Sequence, residues 1–94
     1  MSNRTILNAD GSLMLVEVAL EKNFYSEVDQ HAEEQLSYIL KGSVEFEVGG
    51  KKKVLESGDV QYIPSNEPHR VKVIDACTIL DVFTPLRADL LGKA

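Results

Sequence analysis

No tryptophan occurs in these 94 residues, and only one cysteine, Cys77. A single thiol cannot close an internal disulfide, so packing alone must hold the fold. Cys77 lies in the apolar run "ACTIL", where a cysteine reads as a small buried hydrophobe in preference to a reactive thiol or metal ligand. No stretch approaches the ~20 apolar residues that a membrane helix needs. The opening "MSNRTILNADG" lacks the apolar segment of a signal peptide, and a cytoplasmic location is the default expectation. Basic residues are scarce: 10 Lys and Arg stand against 15 Asp and Glu, a net charge of −5. That balance argues against nucleic acid as a partner, because phosphate neutralisation needs clustered cations. The one basic run, Lys51 to Lys53, follows Gly49-Gly50 and reads as a solvated hairpin tip. Repeats, low-complexity segments and linkers are also missing.

What is present is a series of short apolar segments separated by turn residues. Residues 1–94 are expected to form one domain. A chain of this length buries only about 60–65% of its unfolded surface, so a homodimer is expected to supplement the core. "LMLVEVAL" (Leu13 to Leu20) follows the turn dipeptide Asp10-Gly11. "QLSYIL" ends at Lys41-Gly42, and "SVEFEV" alternates, with Val44, Phe46 and Val48 on one face and Glu45 and Glu47 on the other. Gly49-Gly50 turns the chain into "KKKVL". After Ser57-Gly58-Asp59 come "VQYIP", "HRVKVI" and "CTILDVF". In the tail "PLRADLLGKA", Pro85 suits a helix start, Leu86, Leu90 and Leu91 form an apolar stripe, and Gly92 suits a stop. Many strands with Gly, Pro and Asn punctuation, and no βαβ alternation, imply an antiparallel sandwich or barrel.

Two spacings carry chemical information. The first is Asp29-x-His31-x3-Gln35-x6-Gly42; the second is Gly58-x5-Pro64-x-Asn66-x2-His69. Together they resemble the two motifs of the cupin superfamily, and the tail "LDVFTPLRADLL" is similar to the end of a bacterial subgroup of small single-domain cupins. Five positions depart from the family pattern. Asp29 stands where the first histidine is expected, Gln35 replaces the motif glutamate, Asn66 replaces a glycine, and Val73 falls on the final motif Asn position. Asn23 occupies the position of another motif glycine. Asn is the next-best residue where φ must be positive.

The resemblance implies an all-β fold: an antiparallel double-stranded β-helix, the jelly-roll or cupin barrel, closed by a short C-terminal helix. It also implies a divalent metal (Mn, Fe, Ni or Zn) held inside the barrel by Asp29, His31, Gln35 and His69. Imidazole and oxygen donors converging from separate strands suit such an ion. Glu33 and Glu34 read as solvent-facing, with Glu34 an alternative ligand.

The same subgroup includes the pectin-degradation proteins that open unsaturated uronate sugars. By position it implies Asp81 as a general acid/base, Phe83 as a pocket wall and Arg87 as the clamp for a substrate carboxylate. An aspartate in a strand that is apolar on both faces needs a partner; an Asp81–Arg87 ion pair anchoring the helix is the structural alternative. Tyr38 and Tyr62 are expected on the barrel wall with hydroxyls near the mouth, Tyr38 against the substrate.

The function expected is a metal-assisted isomerase of a small carboxylated or sugar-derived molecule. The reading from another class is a non-catalytic ligand-binding or sensing cupin whose metal site is weakened by Asp29.

Overall fold

A computed structural model describes residues 2–91. Six strands form one antiparallel system: β1 (Ser2–Asp10), β2 (Leu13–Leu20), β3 (Glu34–Val48), β4 (Lys51–Glu56), β5 (Val60–Ile63) and β6 (His69–Thr84). A short helix, α1 (Ala88–Leu91), follows. The strands run in the order β1-β2-β6-β3-β4, with β5 added to β3. The all-β antiparallel fold with a terminal helix is therefore as the motifs implied.

Two expected boundaries do not exist. "QLSYIL" and "SVEFEV" belong to one 15-residue strand, β3. "HRVKVI" and "CTILDVF" are likewise one 16-residue strand, β6. The turn signal at Lys41-Gly42 is a bulge instead, with register shifts against β6 between Ile39 and Val44. Gly42 sits at φ 91, in the left-handed region that costs a β-carbon dearly. A Cβ there would also lie 2.3 Å from the Ala76 carbonyl oxygen and 2.5 Å from Cys77 Cα.

The extra residue changes strand parity. Before the bulge the buried residues are Gln35, Ser37 and Ile39; after it they are Val44 and Phe46. Both halves of β3 thus face one core, which includes Met14, Val16, Leu55 and Ile63. Cys77 is buried among these residues, and burial raises its thiol pKa.

The N-terminal segment, which shows no strand signal in sequence, forms β1 and pairs with β2 of its own chain. At the other end, α1 begins only at Ala88, after the strand-terminating Pro85, and drives Leu90 into the core. The expected stop at Gly92 lies outside the described residues.

Candidate metal centre and adjoining cavity

The segment between β2 and β3 brings Asp29 beside His69. The two residues exchange backbone hydrogen bonds, Asp29 N–H to His69 O at 2.8 Å and His69 N–H to Asp29 O at 2.9 Å. The next turn is tied down by Asn66, whose N–H donates to the His31 carbonyl at 2.7 Å. Asn66 has φ 63 and Asn23 φ 70, so asparagine takes the positive-φ role of glycine at both motif positions.

These anchors converge Asp29, His31 and His69, whose ligand atoms all lie within 4.8 Å of one another. The two imidazoles meet edge to face, with centroids 4.9 Å apart.

The hydrogen-bond network assigns the tautomers. His31 Nδ1 lies 2.9 Å from the Glu33 carbonyl and His69 Nδ1 lies 2.8 Å from the Glu67 carbonyl. Each Nδ1–H therefore donates to backbone, and each Nε2 keeps its lone pair, the arrangement metal-ligating histidines show. Burial lowers the His69 pKa, outweighing the carbonyl that its ring faces. The neutral, ligating form is thereby favoured.

Gln35 is oriented just as firmly. Its amide nitrogen donates to Ser37 Oγ at 2.9 Å and to Asp81 Oδ1 at 3.2 Å. Its Oε1 consequently faces His31 Nε2, at 3.0 Å. With its proton on Nδ1, a neutral His31 sets its Nε2 lone pair against that oxygen, an acceptor–acceptor pairing. A shared cation resolves the conflict: two ligand atoms each ~2.1 Å from an ion and at right angles lie about 3 Å apart. The donor set therefore fits a divalent metal held by His31, His69, Gln35 and Asp29. Asp29 is the least committed donor, being half exposed, with Oδ1 accepting from Gln30 N–H at 2.9 Å.

A cavity of about 300 Å³ opens beside the cluster and is lined by Asp29, Gln35, His69, Asp81, Phe83 and Arg87, among others. Asp81 projects into it from β6, where Ser37 donates to its Oδ1 at 2.5 Å. Burial pushes the Asp81 carboxyl above the usual carboxylate range. The donors Ser37 and Gln35, and the guanidinium groups of Arg4 and Arg87, offset this only in part.

Phe83 packs edge to face on His31, with centroids 5.7 Å apart. Its ring also lies under the Arg87 guanidinium, 5.1 Å away. Arg87 is buried and bonds Asp89 at 2.7 Å and Asp29 at 3.5 Å; its contact with Asp89 lowers the Asp89 pKa.

Two expectations need correction. Tyr38 does not reach the cavity: it lies on the face of β3 opposite Gln35 and Ser37, because successive side chains of a strand point to opposite sides. Tyr62 is also on the outside, its hydroxyl donating to Glu34. That bond directs Glu34 away from the metal cluster, whereas Glu33 stays 3.7 Å from His31 Nδ1. Second, Asp81 and Arg87 form no ion pair among the described residues. Arg87 anchors the α1 region through Asp29 and Asp89, and Asp81 is held by Ser37 and Gln35.

Two site residues escaped the sequence reading. Ser37 carried a usable signal, since it is two positions from Gln35 and so shares its face. Arg4, which lines the cavity from β1, carried none, because nothing in its neighbourhood marks a strand.

Comparison with known proteins agrees with this geometry. The family described as a cupin domain matches residues 16–83. The pectin degradation protein KdgF of Dickeya dadantii (strain 3937) is 33% identical over 90 residues, which cover 94% of this chain and 82% of that protein. The structure of KdgF from Halomonas sp. superposes with a TM-score of 0.90 at 27% identity, covering 95% of this chain and 83% of that one. An RmlC-like cupin from Shewanella frigidimarina matches with a TM-score of 0.90 at 29% identity, over 95% of this chain and 80% of the other.

Proposed function

This chain belongs to the cupin domain family, and from there we propose that it is a metal-dependent isomerase of a small carboxylated sugar derivative, an unsaturated uronate being the most concrete candidate. The observation that carries the reading is the placement of Asp81. A carboxyl raised in pKa by burial shares one cavity with a metal-competent cluster and a buried arginine. Similarity to a protein named for pectin degradation supports the substrate class.

His31, His69, Gln35 and Asp29 would hold the ion. Bound there, a divalent metal supplies Lewis acidity toward a carbonyl or hydroxyl oxygen. The remaining work falls to side chains of this chain. Arg87 takes the substrate carboxylate through its planar fork of N–H donors. Phe83 walls the cavity and lies under that guanidinium. Asp81 moves the proton: burial favours its protonated form, and Ser37 and Gln35 stabilise the carboxylate once the proton has left. An isomerisation needs no co-reactant, since a proton taken from a hydroxyl is returned to carbon.

One observation favours a second reading, a ligand-binding cupin without catalysis. Asp29, in place of an imidazole, is half exposed and already paired with Arg87, which weakens its hold on a metal.

Elemental analysis of protein purified without a chelating tag separates the two. Stoichiometric Mn, Fe, Ni or Zn, lost in a folded His69→Ala variant, is the outcome expected of the enzyme. Full metal occupancy in that variant would overturn the ligand assignment. The substrate is tested by ultraviolet absorbance on 4,5-unsaturated galacturonate or glucuronate. Persistence of the conjugated double bond with metal-loaded protein would retire the isomerase.

A further inference from the structure

The arginines of this chain are Arg4, Arg70 and Arg87, and all of them line the cavity beside the metal cluster. No lysine does, and every lysine among the described residues is exposed. A protein of net charge −5 thus gathers onto one concave surface the cation whose planar fork matches an oxyanion. The cation that lacks such a fork is left to the solvent.

Two of these guanidinium groups are already engaged. Arg87 holds Asp29 and Asp89. Arg70 reaches Glu47 at 3.3 Å and lies over the Tyr25 ring, 4.7 Å from its centroid. Arg4 makes no side-chain hydrogen bond and no ion pair among the described residues. The acids that line the cavity do not answer it. Asp29 is paired with Arg87, burial favours the protonated form of Asp81, and Glu27 is exposed.

The strand register fixes where Arg4 stands. It pairs with Val18 on β2, and Val18 pairs with Ile79 on β6. Ile79, Asp81 and Phe83 follow one another along the side of β6 that lines the cavity, and Arg87 lies over the Phe83 ring. Arg4 is therefore at the Ile79 end and Arg87 at the Phe83 end, with Asp81 between them. The backbone levels of Ile79 and Phe83 are about 13 Å apart along the strand. The charge of Arg4 reaches the Asp81 carboxyl and acts on it more strongly than that of Arg87, so its guanidinium leans toward the middle of the cavity.

We propose that Arg4 binds a second acidic group, and that the molecule this cavity accepts is a small polyhydroxylated dicarboxylate, with one carboxylate on Arg87 and the other on Arg4. The contact with Arg87 rests on the isomerase reading above; the contact with Arg4 holds whatever reaction follows. Between the two ends the wall offers Asp81 and Gln35, hydrogen-bond partners for hydroxyl groups. A cavity of about 300 Å³ is at the small end of ligand sites, which puts both acidic groups on one small molecule and leaves out a polymer.

Titration calorimetry of galactarate against galactonate tests it. These open-chain acids differ at one terminus, a carboxylate against a hydroxymethyl group, and neither carries the double bond that turnover would need. Digalacturonate against galacturonate is the second arm, with the two carboxylates on linked rings. In at least one arm the diacid should bind the wild type more tightly by about tenfold or more, the worth of a charge-assisted hydrogen bond. Arg4→Gln, at an exposed position of β1 at the end of the strand order, should reduce the diacid to the affinity of the monoacid and leave the monoacid unchanged, with an unaltered circular dichroism spectrum. Arg4→Lys should restore part of the preference. Equal affinities in both arms, no binding of either diacid, or a preference that persists in Arg4→Gln would each overturn the proposal. A preference that depends on Arg4 in protein that leaves unsaturated uronates untouched supports it and retires the isomerase alone.

Discussion

Asp81 concentrates the conflict between stability and chemistry at the residue scale. Its carboxyl is enclosed by protein, accepts two hydrogen bonds and forms no ion pair among the described residues. Because burial raises its folded pKa above the unfolded value, its contribution to stability is full below the unfolded pKa and is lost as pH rises toward the folded one. Asp81→Asn keeps an acceptor for Ser37 and removes the ionisation. In metal-free protein at neutral pH this variant should be more stable by roughly 1–3 kcal/mol, about 4–8 °C in Tm per kcal/mol for a domain of this size. Calorimetry checks it, and the difference should close as the pH is lowered toward 4. The same variant should lose the isomerase activity proposed above. The motif resemblance implied that Asp29, His31, Gln35 and His69 share a site, and the structure places donor atoms of Asp29, His31 and His69 within 4.8 Å of one another, with Gln35 Oε1 3.0 Å from His31 Nε2. The reading misplaced Tyr38, whose side follows from strand parity, and it left the partner of Arg87 open, since Asp29 is distant in sequence and Asp89, two positions on, is not a face neighbour at helical spacing.

The bulge in β3 shows, at the scale of the element, what a turn signal can and cannot say. Lys41-Gly42 was legible as a break in alternation, but whether the chain reverses or merely slips depends on the opposing strand. Here β6 pairs with β3 on both sides of the slip, so the strand continues. The alternation of Val44, Phe46 and Val48 was readable without that knowledge. By contrast β1 was not, because its apolar residues are interrupted by polar ones and its pairing comes from the β2 edge. Gly42 is the element's weak point. Gly42→Ala meets both a φ of 91 and backbone atoms closer than 3 Å. Strain of this kind costs about 1–3 kcal/mol from the dihedral alone, and the clash adds to it. Urea titration should show the loss, and Gly50→Ala, with open space around its would-be Cβ, should lose less.

For the whole molecule, the metal and the fold are linked. The four candidate ligands come from two segments far apart in sequence, Asp29, His31 and Gln35 around the start of β3 and His69 at the start of β6. An ion that binds this arrangement and not the unfolded chain stabilises it by about 2.7 kcal/mol at a hundred times its Kd. Differential scanning fluorimetry should therefore show Tm rising with added Mn, Zn or Ni in the wild type and staying flat in His69→Ala. The alternation of β3 and β6 has a further consequence. Leu36 and Tyr38 point outward on either side of Ser37, and Leu80 and Val82 flank Asp81 in the same way. Each peptide unit there serves two masters, one wet with chemistry and one greasy. An engineer who resurfaces the outside therefore works on the same backbone that aims Ser37 and Asp81 inward.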